Sequence, residues 1–274
     1  MGTPAHLTSL ICPVNDGESK TIVDIALKLN MDVRVSHQPW GAVLSKEPPE
    51  TFQGLMENVV IVEIPGPEEE DRLRLDHRLF IIDHHRYQSI DRSNPLSSLE
   101  QFANLVSYDL NRWEMGVAIN DRSYIYGLQD NGYTDKEIQE LRQFDLAQQG
   151  YKSDDFSTLE ADYLRGRLIV EDLYLVETKF SRNSYLADLH LLRSGKTPER
   201  LDLLVAQVSS ANKISEINFY GTPGRAKRLY QAIGGFSGGD ESRSMYWGKT
   251  LDPPVDEKEF LSSLLSSLTN LKKE

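Results

Sequence analysis

A chain of 274 residues with 39% hydrophobic side chains is long enough for one large domain or, better, two, each with an ordinary apolar core. Its 42 acids against 30 bases give a net charge of −12, which repels a long polyanion such as duplex nucleic acid but admits a small anion wherever a bound metal inverts the local field. The lone cysteine, Cys12, excludes an intrachain disulfide, and without a leader-like segment or an apolar stretch of spanning length the sequence predicts a soluble, cytoplasmic protein with no membrane partner.

In chain order, Leu7 to Val14 reads as a short apolar strand running into Asn15-Asp16-Gly17. Ile22, Ile25, Ala26 and Leu29 then recur at helical spacing, with Glu18 or Ser19 at the helix start. Met31 to Ser36 is a second strand, and Gly41 to Glu57 is loop-like, with the breaker Pro48-Pro49. Val59-Val60-Ile61-Val62 forms the core of a third strand, which ends in Glu63 ahead of Pro65-Gly66-Pro67. The acidic run Glu68 to Asp71 reads as solvated surface.

Leu79-Phe80-Ile81-Ile82 predicts a buried parallel strand, followed at once by Asp83-His84-His85-Arg86. Side chains alternate across a strand but not across the loop beyond it, so these polar groups can converge where such a strand reaches its sheet's carboxyl edge. An acid and two imidazoles there suit a divalent metal and a phosphate. Ser97-Ser98-Leu99-Glu100 predicts a capping box opening a helix with Phe102, Leu105, Val106 and Leu110 on its apolar face. Met115 to Asn120 reads as another short apolar strand, ending in Asn120-Asp121-Arg122. Thr134 to Glu137 predicts a second cap, opening a helix that stops at Gly150.

Strand followed by helix, repeated, is the pattern of a doubly wound, mainly parallel α/β sheet. After about Tyr151 the character changes. A connector helix from Ser157 to about Arg167 precedes strand-like stretches at Arg167–Glu177, Leu201–Val208 and Glu216–Tyr220. Gly221-Thr222-Pro223-Gly224-Arg225 leads into a helix, Gly234 to Gly239 into a glycine-rich loop, and Met245-Tyr246-Trp247 into an edge strand. Phe260, Leu261, Leu264, Leu265, Leu268 and Leu271 stripe a C-terminal amphipathic helix. The predicted organisation is an α/β domain over 1–155, a connector over 156–166, a smaller α/β domain over 167–255 and the terminal helix over 256–274. That helix packs on its own chain or, as the alternative, on a second copy in a homodimer.

The motifs so placed resemble the DHH phosphoesterase superfamily over nearly the whole chain, with Asp83-His84-His85 as the name-giving motif and the apolar strand before it intact. The family's opening His-x-Asp-x-Asp-Gly stands here as Cys12-Pro13-Val14-Asn15-Asp16-Gly17, so only the last acid and the glycine match. Glu63 stands where the second motif has an aspartate, Asp121 matches the fourth motif, and Gly224-Arg225 is similar to the element that grips substrate phosphate. The family's Gly-Gly-Gly-His reads Gly234-Gly235-Phe236-Ser237, without the histidine.

The resemblance implies an interdomain cleft in which two Mn²⁺ or Mg²⁺ ions activate water against a phosphorus atom. Asp16, Glu63, His84 and Asp121 would be the metal ligands. Asp83 would orient a ligand or join the metal, and His85 would contact phosphate or protonate the leaving oxygen. Arg225, with Gly224, Gly234 and Gly235, would hold substrate phosphate. Val14 removes an acid that helps hold one ion, so the expectation is one ion or two; Glu18 is near enough in sequence to substitute, whereas Cys12 would suit only a softer ion. The implied function is a metal-dependent hydrolase for a small phosphodiester or phosphoanhydride, such as a short oligonucleotide, a cyclic dinucleotide, or pyro- or polyphosphate. The alternative is a degenerate relative that binds a nucleotide or a partner protein without turnover.

Overall fold

A computed structural model describes residues 3–87, 89–170, 172–194, 201–209, 211, 213–256, 260, 262 and 264. The chain divides into two compact units, Met1–Tyr151 and Lys152–Glu274.

The first unit is built on four parallel strands, β1 (Thr8–Pro13), β2 (Asp32–Ser36), β3 (Asn58–Val62) and β4 (Arg78–Ile82), in the order β2-β1-β3-β4. The central strands explain the mostly apolar stretches. β1 and β3 are buried at every position, because helices and loops cover both faces of an inner parallel strand. Ile11, Val59 and Ile61 pack with Ala42, Leu44, Ile64 and Leu73 into one cluster. Their alternating neighbours Leu10, Val60 and Val62 point the other way and are equally buried. Each such side chain contributes about 1.5–3 kcal/mol on leaving water. β4 departs from expectation: it is the edge strand, half-buried until Ile82.

Helix α1 (Gly17–Lys28) follows β1 and is capped by Asp16, whose Oδ1 accepts the Ser19 N–H at 2.8 Å. α2 (Pro67–Asp76) forms where the sequence was read as breaker and solvated acids. Pro67 fits a helix's first turn and Glu68, Glu69 and Glu70 complement its positive end. α3 (Ser98–Val106) opens on the Ser97–Glu100 capping box, and α5 (Asp135–Gln148) on Thr134–Glu137. Between them the predicted strand at 115–120 is instead the middle of α4 (Arg112–Asp130). Asn111 and Glu114 cap that helix reciprocally, at 3.0 and 2.8 Å. Val117, Ala118, Ile119 and Asn120 are all buried, so the run lost its helical period and resembled a strand. α4 kinks at Tyr124, which has φ 54 and ψ −158.

The second unit begins with α6 (Ser153–Leu164), four residues earlier than the predicted connector. Its six-stranded mixed sheet runs β5 (Arg167–Val170), β6 (Leu173–Thr178), β7 (Asp202–Val208), β8 (Lys213–Gly221), β10 (Ser244–Asp256) and β9 (Phe236–Asp240) in space. Thus the stretch read as one strand over 167–177 is a hairpin, and α7 (Ser184–Ser194) precedes β7. The glycine cluster is not a loop: β9 begins at Phe236 and is itself the edge strand, which places the segment around Tyr246 between β8 and β9. α8 (Pro223–Ile233) covers a core containing Phe219, Trp247, Leu204 and Ala226. Most of the expected C-terminal helix lies outside the described residues; within them, Leu264 is buried in that core and Phe260 packs against it.

Candidate metal centre

In the first unit the strand order reverses between β1 and β3, and open α/β sheets place ligands beyond the carboxyl ends of strands at such a switch. Three strand ends deliver the polar groups. β1 leads to Asp16 and, in the first turn of α1, Glu18; β3 leads to Glu63; β4 leads to Asp83, His84 and His85. Glu63 takes a left-handed backbone, φ 53, a conformation rare for a residue with a Cβ and common where a site dictates side-chain direction. Its N–H donates to Ile82 at 3.0 Å and its Oε1 accepts from Ser98 Oγ at 2.7 Å, fixing both ends of the side chain.

Four donors converge: Glu18, Glu63, His84 and Asp121 offer one ligand atom each, all within 4.8 Å of one another. His84 Nε2 lies 2.8 Å from Asp121 Oδ2, 3.3 Å from Glu63 Oε1 and 3.9 Å from Glu18 Oε2. Despite this proximity, Glu18 Oε2, His84 Nε2 and Asp121 Oδ2 are buried with no hydrogen-bond partner among the described residues. Leaving a buried polar atom unpaired costs about 1–3 kcal/mol, so three in one cluster call for a common partner. Three carboxylates and one imidazole suit Mn²⁺, a hard ion that tolerates nitrogen; the residues present fit the implied metal. Glu63, His84 and His85 form a second, overlapping group.

The acids of the cluster dominate its electrostatics. Burial alone would strip His84 of its proton, but the carboxylates of Asp121 and Glu63 outweigh it and push its pKa up to about 10. Burial, followed by the charges of Asp121 and Glu63, raises Glu18 well above the carboxylate range.

Of the residues expected to ligate, Glu63, His84 and Asp121 meet. Asp121 arrives from inside a helix rather than from a strand end. Asp16 is not in the donor set; its Oδ1 accepts from the Ser19 N–H and hydroxyl, and burial lifts its pKa to about 7. Glu18, the residue near enough in sequence to substitute for the acid missing at Val14, is the fourth donor. Cys12 is fully buried, its Sγ 3.8 Å from the Ser19 carbonyl, and burial pushes the thiol up, away from the thiolate a metal needs.

Asp83 is outside the four-donor group and holds His85. Its Oδ1 accepts the His85 backbone N–H at 2.9 Å and lies 3.2 Å from His85 Nδ1, while Tyr87 donates to Oδ2 at 3.0 Å. Burial would raise Asp83, but these hydrogen bonds win and keep it ionised. His85, bonded to Asp83, is correspondingly raised and leaves 44% of its side chain exposed. Sequence reading missed the support behind this pair. Arg92 reaches Asp83 Oδ2 at 3.6 Å and pairs with Glu70, one of the acids read as surface and in fact buried. No local motif marks Arg92, which meets Glu70 from 22 residues away.

In the second unit, Arg225 donates to Asp202 and Asp172, each at 2.7 Å, so two carboxylates already match its charge. Gly224 lies in the first turn of α8. Gly234 (φ +68) and Gly235 (φ +105) make the turn into β9. A Cβ on Gly235 would sit 2.3 Å from the Gly248 carbonyl, so close backbone packing explains that glycine.

No protein-family profile and no curated protein matches the chain. Among solved structures it is similar to the pGpG-specific phosphodiesterase PggH from Vibrio cholerae, with 10% identity, TM-score 0.44, and coverage of 96% of this chain and 99% of that one. It is also similar to the exonuclease RecJ bound to manganese, with 12% identity, TM-score 0.40, and coverage of 95% and 88%. A third likeness is to CDC45 from Entamoeba histolytica, with 9% identity, TM-score 0.38, and coverage of 96% and 95%.

Proposed function

We propose that the chain is a divergent phosphoesterase of the DHH type, hydrolysing a small phosphodiester or phosphoanhydride at a divalent-cation centre formed by Glu18, Glu63, His84 and Asp121. The observation that carries this reading is the set of unpaired buried donor atoms on Glu18, His84 and Asp121, directly beside Asp83-His84-His85. When bound, Mn²⁺ or Mg²⁺ supplies Lewis-acid polarisation of a phosphoryl oxygen and a water made nucleophilic near neutral pH. Asp83, held ionised by its own hydrogen bonds, fixes the ring of His85 and favours its charged form. On this reading His85 binds a phosphoryl oxygen and gives its proton to the departing oxygen. The net charge of −12 favours a short substrate over a long strand.

The test is Mn²⁺-dependent turnover of bis-p-nitrophenyl phosphate, a cyclic dinucleotide, a linear dinucleotide and pyrophosphate by the full chain. Turnover of one or more that disappears in His85→Ala supports the reading. Mn²⁺ binding with no turnover of any of them supports the second reading, a cation-dependent binding protein. The half-buried, oxygen-free side chain of Val14, at the place of a family acid, favours that alternative.

A further inference from the structure

Two positions adjoining the donor set, the backbone of Gly17 and the side chain of Asn120, are held by one buried ion pair on α5. Asp145 Oδ1 accepts the N–H of Gly17 at 2.8 Å, across 128 residues of sequence, and Gly17 immediately precedes Glu18. Asp145 Oδ2 lies 2.7 Å from Arg142 Nη1, and the same Nη1 reaches Asn120 Oδ1, at 3.3 Å, immediately before Asp121. The Arg142 guanidinium also sits 4.9 Å from the ring centre of Tyr124, the residue at which α4 kinks. That kink puts Tyr124 in a backbone region otherwise left to glycine, which persists only where surrounding contacts enforce it. Asp121 is thus bracketed by Arg142 contacts on both sides. Gly17 leaves little slack: a Cβ there would lie 3.1 Å from Asp145 Cα and 3.2 Å from the Phe144 ring.

Arg142 and Asp145 are only 7% and 8% exposed. A buried pair of this kind contributes little net stability, because desolvation offsets attraction, and its attested use is to select one register. Here the register in question is that of α1 and α4, which carry Glu18 and Asp121 toward β3 and β4.

We propose that Arg142 and Asp145 are positioning residues for the cation cluster: they lock the start of α1 and the kink of α4 so that Glu18 and Asp121 meet at ligating distance. The inference rests on the reading that the cluster binds a divalent cation. An ordinary packing role for the pair would change thermal stability and leave cation affinity alone.

The experiment is an electron paramagnetic resonance titration of free Mn²⁺ against the full-length chain, well below each protein's metal-free Tm, which is recorded alongside. It compares wild type, Asp145→Asn, Asn120→Ala and Glu63→Gln. The expected result is Mn²⁺ affinity weakened about 10- to 100-fold in Asp145→Asn and Asn120→Ala, the range seen when supporting partners of metal ligands are removed. If both bind Mn²⁺ within about twofold of wild type while Glu63→Gln loses it, positioning is wrong and the cation centre stands. If wild type takes up no Mn²⁺, or Glu63→Gln binds as wild type does, the cation centre itself fails and takes this inference with it. Should Asp145→Asn not fold, Asn120→Ala decides the matter, since it keeps the ion pair and the Gly17 contact.

Discussion

Replacing Glu18 by Gln should move metal-free stability and metal affinity in opposite directions. Glu18 is 3% exposed; its Oε1 accepts the Leu99 N–H at 2.9 Å and its Oε2 has no partner among the described residues. At an effective dielectric constant of about 20, His84 at 3.9 Å attracts an ionised Glu18 by about 4 kcal/mol. Glu63 and Asp121, with donor atoms within 4.8 Å, repel it by about 3.5 kcal/mol or more each. Repulsion therefore exceeds attraction by about 3 kcal/mol, in keeping with the raised pKa of Glu18. Because that pKa is raised, the folded state holds a proton that the unfolded chain releases near pH 4.5, so metal-free stability falls as pH climbs above this value. Glutamine keeps the acceptor for Leu99 and has no charge to lose. Glu18→Gln should accordingly match wild type near pH 5 and exceed it by about 1–3 kcal/mol near pH 8, or about 3–9 °C in Tm for a unit of this size. With saturating Mn²⁺ the order should reverse. The assay is a thermal melt at both pH values, with chelator and with Mn²⁺. A metal-free Glu18→Gln protein less stable than wild type by 1 kcal/mol or more at pH 8, where the repulsion is greatest, would show Glu18 to be a structural anchor of α3 and refute the reasoning.

Other outcomes follow from the same geometry. Mn²⁺ must displace the proton that Asp121 and Glu63 hold on His84, so affinity should rise with pH from about 6 to 8, and calorimetry in buffers of different ionisation enthalpy should register proton release; a flat profile contradicts ligation by His84. Arg225→Met leaves Asp202, whose side chain is 1% exposed, as an unmatched buried charge, and should cost the second unit about 3–5 kcal/mol in denaturant melts followed at the buried Trp247. A normal melt combined with a raised KM would instead assign Arg225 to substrate phosphate. His190 is buried, with Tyr163 Oη 3.0 Å from its Nδ1 and the Leu201 carbonyl 2.9 Å from its Nε2, a pattern that a neutral Nε2–H ring satisfies at both nitrogens. Burial lowers its pKa below 6.5, so the stability it contributes is present above that pH and lost as pH falls; between about pH 7 and 5 wild type should lose more than His190→Gln.

Elements whose signals are local were legible in the sequence. Capping at Ser97 and Thr134 depends on residues three apart, and β1 and β3 announce themselves as mostly apolar stretches because both their faces are covered. The same rule misled at 115–120, where a helix buried all round shows no period, and the Asn111–Glu114 cap used asparagine in place of serine or threonine. In the site, Glu63 and His84 could be placed from strand ends alone. That Glu18 joins the donor set while Asp16 does not depends on how the start of α1 faces β3 and β4, a relation visible only in three dimensions. Arg92 with Glu70, and Arg142 and Asp145 with Asn120 and Gly17, are contacts between distant segments with no spacing rule to betray them.

The most direct measurement of the central claim is the anomalous scattering of manganese in crystals of the chain soaked in Mn²⁺. The account predicts a peak ligated by Glu18, Glu63, His84 and Asp121, absent from crystals of Glu63→Gln. A fully soaked crystal with no peak among these four side chains, or with manganese bound only elsewhere, would contradict it.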